Sequence, residues 1–180
     1  MMRGIDPVTL MAVASFCALL WVASALHKLS NWQDYREQLR DYQIAPLPLQ
    51  AGLAILLVLV EVLLALAWLA DARSPWVALA SAFLLLCYGA AMAYNLMRGR
   101  DGIDCGCAAA GQLIRWSLVV RNLVLALLAL LPMWLASAVS MRALCWLDLV
   151  TIAAAAMMLY GAYVVANQLL ANNPPQRSTH

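Results

Sequence analysis

The chain has 180 residues, 66% of them apolar and 11% charged, with a formal net charge of +2. A soluble domain is about half apolar and about a quarter charged, so this composition excludes a soluble globular enzyme and points to an integral membrane protein. The small charge, with no basic block, excludes nucleic acid as a partner. The cysteines are Cys17, Cys87, Cys105, Cys107 and Cys145, of which only Cys105 and Cys107 are close in sequence. That is no secreted disulfide framework. With only two histidines and no further Cys/His cluster, a tetrahedral zinc site is not expected either.

After a short polar start ending at Pro7, the first apolar run covers residues 8–26. At about 19 residues it is long enough for a retained span rather than a cleaved leader. His27 and Lys28 close it. In residues 27–48, Trp32, Tyr35, Leu39 and Tyr42 recur at the spacing of an amphipathic helix. Their aromatic rings suit the headgroup level, so a short helix is expected on the membrane surface, free to roof the bundle, and stopped by Pro46 and Pro48. Further spans are expected at 49–70, 76–97, 116–136 and 145–170, followed by a disordered tail over 172–180. The reading is therefore an all-α membrane protein, residues 1–171 forming one transmembrane domain of about five spans plus the interfacial helix.

Five spans place the loop 27–48, the segment holding Cys105 and Cys107, and the tail on one face. That face carries Lys28, Arg36, Arg40, Arg98, Arg100, Arg115 and Arg177, against Arg3, Arg73 and Arg142 on the other. Counted by positive charge, the cysteine face belongs in the cytoplasm. Reversible disulfides belong mainly in the periplasm. The two signals conflict, and the chemistry is given the greater weight.

Cys105 and Cys107, separated by Gly106, would close an unusually small disulfide ring. Strained disulfides are the labile, catalytic ones. A structural bond over so short a loop would add little stability. Two thiolates holding a metal ion remain the weaker alternative. Arg98, Arg100, Arg115 and Arg121 flank the pair and would favour the reactive thiolates. Cys107, being nearer the fourth span, is the expected membrane-facing or resolving thiol.

Glu61 lies about twelve residues into the second span, about 18 Å deep. An acid at that depth faces the bundle interior and marks either a function or a paired charge. Arg121 is one possible partner, with Asn95 and Asn122 bridging the difference in depth. The functional version is a proton route or a quinone headgroup site; the bland one is a polar clamp between helices. His27 could pass protons to a leaving thiolate, but an interfacial cap is the more ordinary reading.

Together these features resemble the MauE family of methylamine utilisation proteins, within the wider DoxX-like membrane group. The matching residues are His27-Lys28-Leu29, Pro46 and Pro48, Glu61, Arg98-Gly99, Cys105-Gly106-Cys107 and Arg121-Asn122, within residues 15–135. One departure is the run Ala108, Ala109, Ala110 before Gly111, where the family has an aromatic and a glycine. The resemblance implies an inner-membrane protein working with a thioredoxin-like MauD partner to mature the disulfide-rich small subunit of methylamine dehydrogenase. It also implies a bundle of four helices similar to vitamin K epoxide reductase, capped by the loop 27–48, with the fifth span peripheral.

The expected function is thiol–disulfide exchange through Cys105 and Cys107, as an oxidase passing electrons to quinone or as an isomerase. No metal is expected, and quinone is left open as a cofactor. The rivals are a passive anchor for a soluble redox partner and a small-molecule or metal transporter. The lack of inverted repeats and broken helices disfavours the transporter.

Overall fold

The structure is a computed structural model that describes residues 6–44, 46–100, 102–105, 113–135 and 142–172. The described residues form six helices: α1 (Pro7–Ser30), α2 (Trp32–Tyr42), α3 (Leu47–Ala70), α4 (Pro75–Met97), α5 (Trp116–Leu135) and α6 (Trp146–Asn172). All but α2 are long and apolar enough to cross a membrane. The outward faces of these helices are clothed in residues such as Leu63, Phe83, Leu127 and Met158, a surface suited to lipid. The tail expected over 172–180 lies outside the described residues beyond Asn172, where α6 ends.

The Asp6 carboxylate starts α1 by accepting from the Val8 amide at 3.0 Å, with Pro7 in the first turn. The helix does not stop at Leu26 as the run of apolar residues suggests. It continues one more turn to Ser30, carrying His27 and Lys28 within it. Lys28 does not end the span because its charge is met inside the bundle, as described below.

On α2, Tyr35, Leu39 and Tyr42 are buried along one stripe, and the helix packs on α1, α3 and α4. It roofs the bundle. The principal core joins α1, α3, α4 and α5 around Phe16, Trp21, Trp68 and Leu85. At its centre, the Ser81 hydroxyl accepts from the Trp21 indole at 3.1 Å and from the Trp68 indole at 2.8 Å. One oxygen thus ties three helices at a depth where water offers no substitute. Changing Ser81 to Ala is expected to leave both indole N–H groups without this acceptor and to cost about 1–3 kcal/mol, read as a lower unfolding midpoint in detergent.

The sixth helix lies at the side of the bundle, as expected of a peripheral fifth span. It packs along α1, and Arg142 fastens the two at the end remote from α2. The Arg142 guanidinium meets Asp6 at 3.1 Å and Asp148 at 2.7 Å, so one cation serves carboxylates at the first turns of α1 and α6. Those hydrogen bonds hold the Arg142 guanidinium even further above neutrality than usual.

Candidate functional site

The segment bearing the cysteines is set by the way α4 ends. Gly99 has a positive φ of 70°. Its amide bonds to the Leu96 carbonyl and the Arg100 amide to the Asn95 carbonyl, both at 3.0 Å. This is the left-handed helix stop that glycine accommodates without strain. The chain then turns back over the bundle. Asp104 pairs antiparallel with Leu113, and the Ile114 amide donates to the Ile103 carbonyl at 2.8 Å. The chain leaves this narrow neck at Cys105 and re-enters it at Leu113.

Cys105 is buried at 6% exposure, in a cluster with Tyr42, Met92, Ile103, Ile114 and Leu118. Gly106 and Cys107 lie outside the described residues, and so does any bond between the two cysteines. Cys105 therefore faces inward; the expectation that Cys107 is the membrane-facing or resolving thiol falls outside the described residues. On its other side stands Arg121, from the second turn of α5. One guanidinium nitrogen lies 3.9 Å from the Cys105 sulfur, and another donates to the side-chain oxygen of Asn167 on α6. The Tyr163 ring, one turn before Asn167, lies 6.0 Å from the guanidinium carbon.

The pair considered between Glu61 and Arg121 does not form. Glu61 is fully buried and bonds instead to Lys28, itself only 7% exposed. The Ser24 hydroxyl donates to the same carboxylate oxygen at 3.0 Å and the Tyr88 hydroxyl at 2.7 Å. Lys28 also donates to both hydroxyls, at 3.2 and 3.3 Å, and lies 4.8 Å from the centre of the Tyr88 ring. A lysine side chain is long enough to bring its ammonium group inward from the last turns of α1, which the depth count from the helix ends did not allow for.

The remaining expected residues divide. Asn95 donates to the Tyr42 carbonyl at 3.2 Å and accepts from Arg100 at 3.3 Å, so it fixes the roof to α4 rather than bridging Glu61 to Arg121. Asn122 donates to the Leu118 carbonyl at 3.0 Å and contacts the Met92 sulfur at 3.7 Å, again away from Glu61. Arg98 is exposed and lies over the Tyr94 ring at 5.3 Å. His27 is half-buried, beside Asn31 at 3.4 Å.

A cavity of about 640 Å³ lies beneath the roof. Its walls include Lys28, Tyr35, Tyr88, Cys105, Arg121 and Tyr163, so the lysine of the ion pair and the thiol border one space. The buried Tyr35 hydroxyl has no hydrogen-bond partner among the described residues. Burial, and secondarily the negative charge of Glu61, push the Tyr35 phenol well up, which keeps it a proton-bearing donor. Among the described residues no cluster suited to a metal ion occurs. Sequence reasoning missed Ser24, Tyr35, Tyr88, Tyr163 and Asn167 as members of this site. For Ser24 a signal existed: it lies one turn before Lys28 on the same face of α1.

The family model described as "Methylamine utilisation protein MauE" matches residues 6–135. The chain belongs to the MauE family. Among curated members, it is 41% identical to "Methylamine utilization protein MauE" of Paracoccus denitrificans, over 70% of this chain and 69% of that protein. It is 34% identical to the protein of that name from Paracoccus versutus, over 69% and 68% of the two chains. The match to the Methylorubrum extorquens protein is 32% identical over 72% and 71%. No solved structure matches the chain. Lys28, Glu61, Cys105 and Arg121 fall within the MauE match, whereas α6, with Tyr163 and Asn167, lies beyond it.

Proposed function

We propose that this MauE-family chain is a membrane thiol–disulfide exchanger that serves methylamine utilisation. The observation carrying the proposal is the Arg121 guanidinium set 3.9 Å from the buried Cys105 sulfur. A cation at that distance favours the thiolate, the form that attacks and leaves in exchange. A passive anchor has no use for such a contact. The partner is a thioredoxin-like protein of the MauD type, and the final substrate is the disulfide-rich small subunit of methylamine dehydrogenase. The site lies at the periplasmic side of the bacterial inner membrane, and Cys105 and Cys107 are its catalytic residues. Neutralisation of Lys28 by Glu61 removes one charge from the count that favours the cytoplasm.

The burial of Cys105 withdraws it from a protein partner and supports Cys107 as the first contact in this reading. The Cys107 thiolate attacks a sulfur of the partner's disulfide, forming a mixed disulfide and releasing one partner thiolate. The Cys105 thiolate, steadied by Arg121, then attacks the Cys107 sulfur. The second partner thiolate leaves, and Cys105 and Cys107 become a disulfide. Two electrons pass from this protein to its partner, and the reverse sequence returns them. The partner thiolates take up protons as the two cysteines give theirs up.

The cavity supports a further element of this reading, a bound quinone. Tyr35 would donate to a ring carbonyl, and the ring would lie among the apolar and tyrosine walls. Such a group would supply a two-electron acceptor for the dithiol. The chain's own part is to hold the Tyr35 proton in place and to exclude water under α2.

Trapping tests the proposal. A Cys105→Ser variant keeps the contacting thiol and lacks the resolving one, so it is expected to accumulate a mixed disulfide with a thioredoxin-like protein on non-reducing gels. Cys107→Ser is expected to capture nothing. If neither variant captures a partner, or if the double variant still supports maturation of the small subunit, exchange is refuted.

A further inference from the structure

We infer that Asn167 on α6 is a positioning residue for the Cys105 thiolate, so that α6 completes a redox site otherwise built from the family-matched part of the chain. The inference rests on the exchange reading for its biological role, though not for its test. It begins with the reach of Arg121. An arginine on a helix has many rotamers, and few of them bring its guanidinium within 4 Å of one sulfur. Here α6 takes part in the choice. Asn167 is 4% exposed, and its side-chain oxygen accepts from the Arg121 nitrogen not turned towards Cys105. Tyr163 lies one turn earlier on the same helix, 6.0 Å from the guanidinium carbon. Two side chains on one face of α6 thus flank a group whose other nitrogen reaches the thiol.

The chemical type of the anchor matters as much as its place. A carboxylate at position 167 would hold Arg121 at least as firmly, but would cancel the charge that the sulfur feels. An amide oxygen fixes the guanidinium and leaves its charge in place. Asn167 fits a requirement for orientation without neutralisation. A merely structural hydrogen bond would be served equally well by Asp.

The experiment uses the full chain in lipid nanodiscs, with Cys17, Cys87, Cys107 and Cys145 replaced by Ala so that Cys105 is the single thiol. The rate of its reaction with methyl methanethiosulfonate is measured across pH. Asn167→Leu, which keeps the volume and removes the acceptor, is expected to slow the reaction at pH 7 by about five- to tenfold and to move the profile to higher pH. Asn167→Asp is expected to slow it at least as much, although it keeps the hydrogen bond. In an Arg121→Leu background neither change is expected to have an effect, because there is no guanidinium left to place. The inference is overturned if both variants stay within about twofold of the parent. It is equally overturned if Asn167→Asp matches the parent, or if the losses persist without Arg121. The thermal midpoint of each variant, read in parallel, separates loss of folding from loss of the contact. Should this coupling hold while no partner can be trapped, the exchange reading falls and the positioning role stands.

Discussion

Replacing Lys28 by Met is expected to destabilise the folded protein by about 3–5 kcal/mol, the largest single loss on offer in this bundle. The reason is the charge left behind. Glu61 is fully buried in α3, and Lys28 is the cation bonded to it. Ser24 and Tyr88 also donate to Glu61, but two hydroxyls do not balance a full charge at a fully buried site. The reverse change, Glu61→Leu, should cost a similar amount by stranding the ammonium group between the Tyr88 and Tyr35 rings. The informative variant is the double one. Removing both charges together is expected to recover most of the loss, since an apolar pair of similar volume avoids the desolvation that the ion pair must offset. Unfolding measured in bilayers or mild detergent, run as a double-mutant cycle, gives the coupling directly. Losses below about 1 kcal/mol for both single variants would mean that the pair is hydrated and does not clamp α1 to α3.

Exchanging Arg121 for Leu should slow alkylation of Cys105 at pH 7 by about ten- to a hundredfold, the effect of one opposite charge at contact distance on a titrating group. The sign follows from the chemistry. The guanidinium favours the thiolate, so its removal leaves more of the thiol protonated at any neutral pH and shifts the reactive range upward. Above that range the variant and the parent should converge, because both are then fully thiolate. Arg121→Lys should fall between them, keeping the charge and losing the planar fork that lets one nitrogen serve Asn167 while another faces the sulfur. A deficit that persists at alkaline pH would point to altered access and remove the electrostatic explanation.

Much of this arrangement could be read from the residues alone, and the exceptions share a cause. Long apolar runs gave the five spans, and the spacing of Tyr35, Leu39 and Tyr42 gave the roof, because burial of an apolar stripe is a local property of the sequence. Glu61 announced itself as a buried acid for the same reason. Its partner did not, because partnership depends on how far a flexible side chain reaches between helices. Lys28 looked like the end of α1 and proved to be inside it. Asn167 and Tyr163 gave no sign at all. They sit in a helix whose apolar and small residues run all the way round, so no amphipathic pattern marks the face that meets Arg121. Cys105 and Arg121 could be singled out from the sequence, but the burial of Cys105 and its contact with Arg121 required the neck at Asp104 and Leu113.

Because Arg142 joins Asp6 to Asp148, the seam between α1 and α6 closes only once the chain has been made past residue 142. Until then the flank of α1 that α6 covers is left to lipid. A nascent chain stalled before residue 142 is therefore expected to keep α1 packed on α3 and α5 while that one flank stays uncovered.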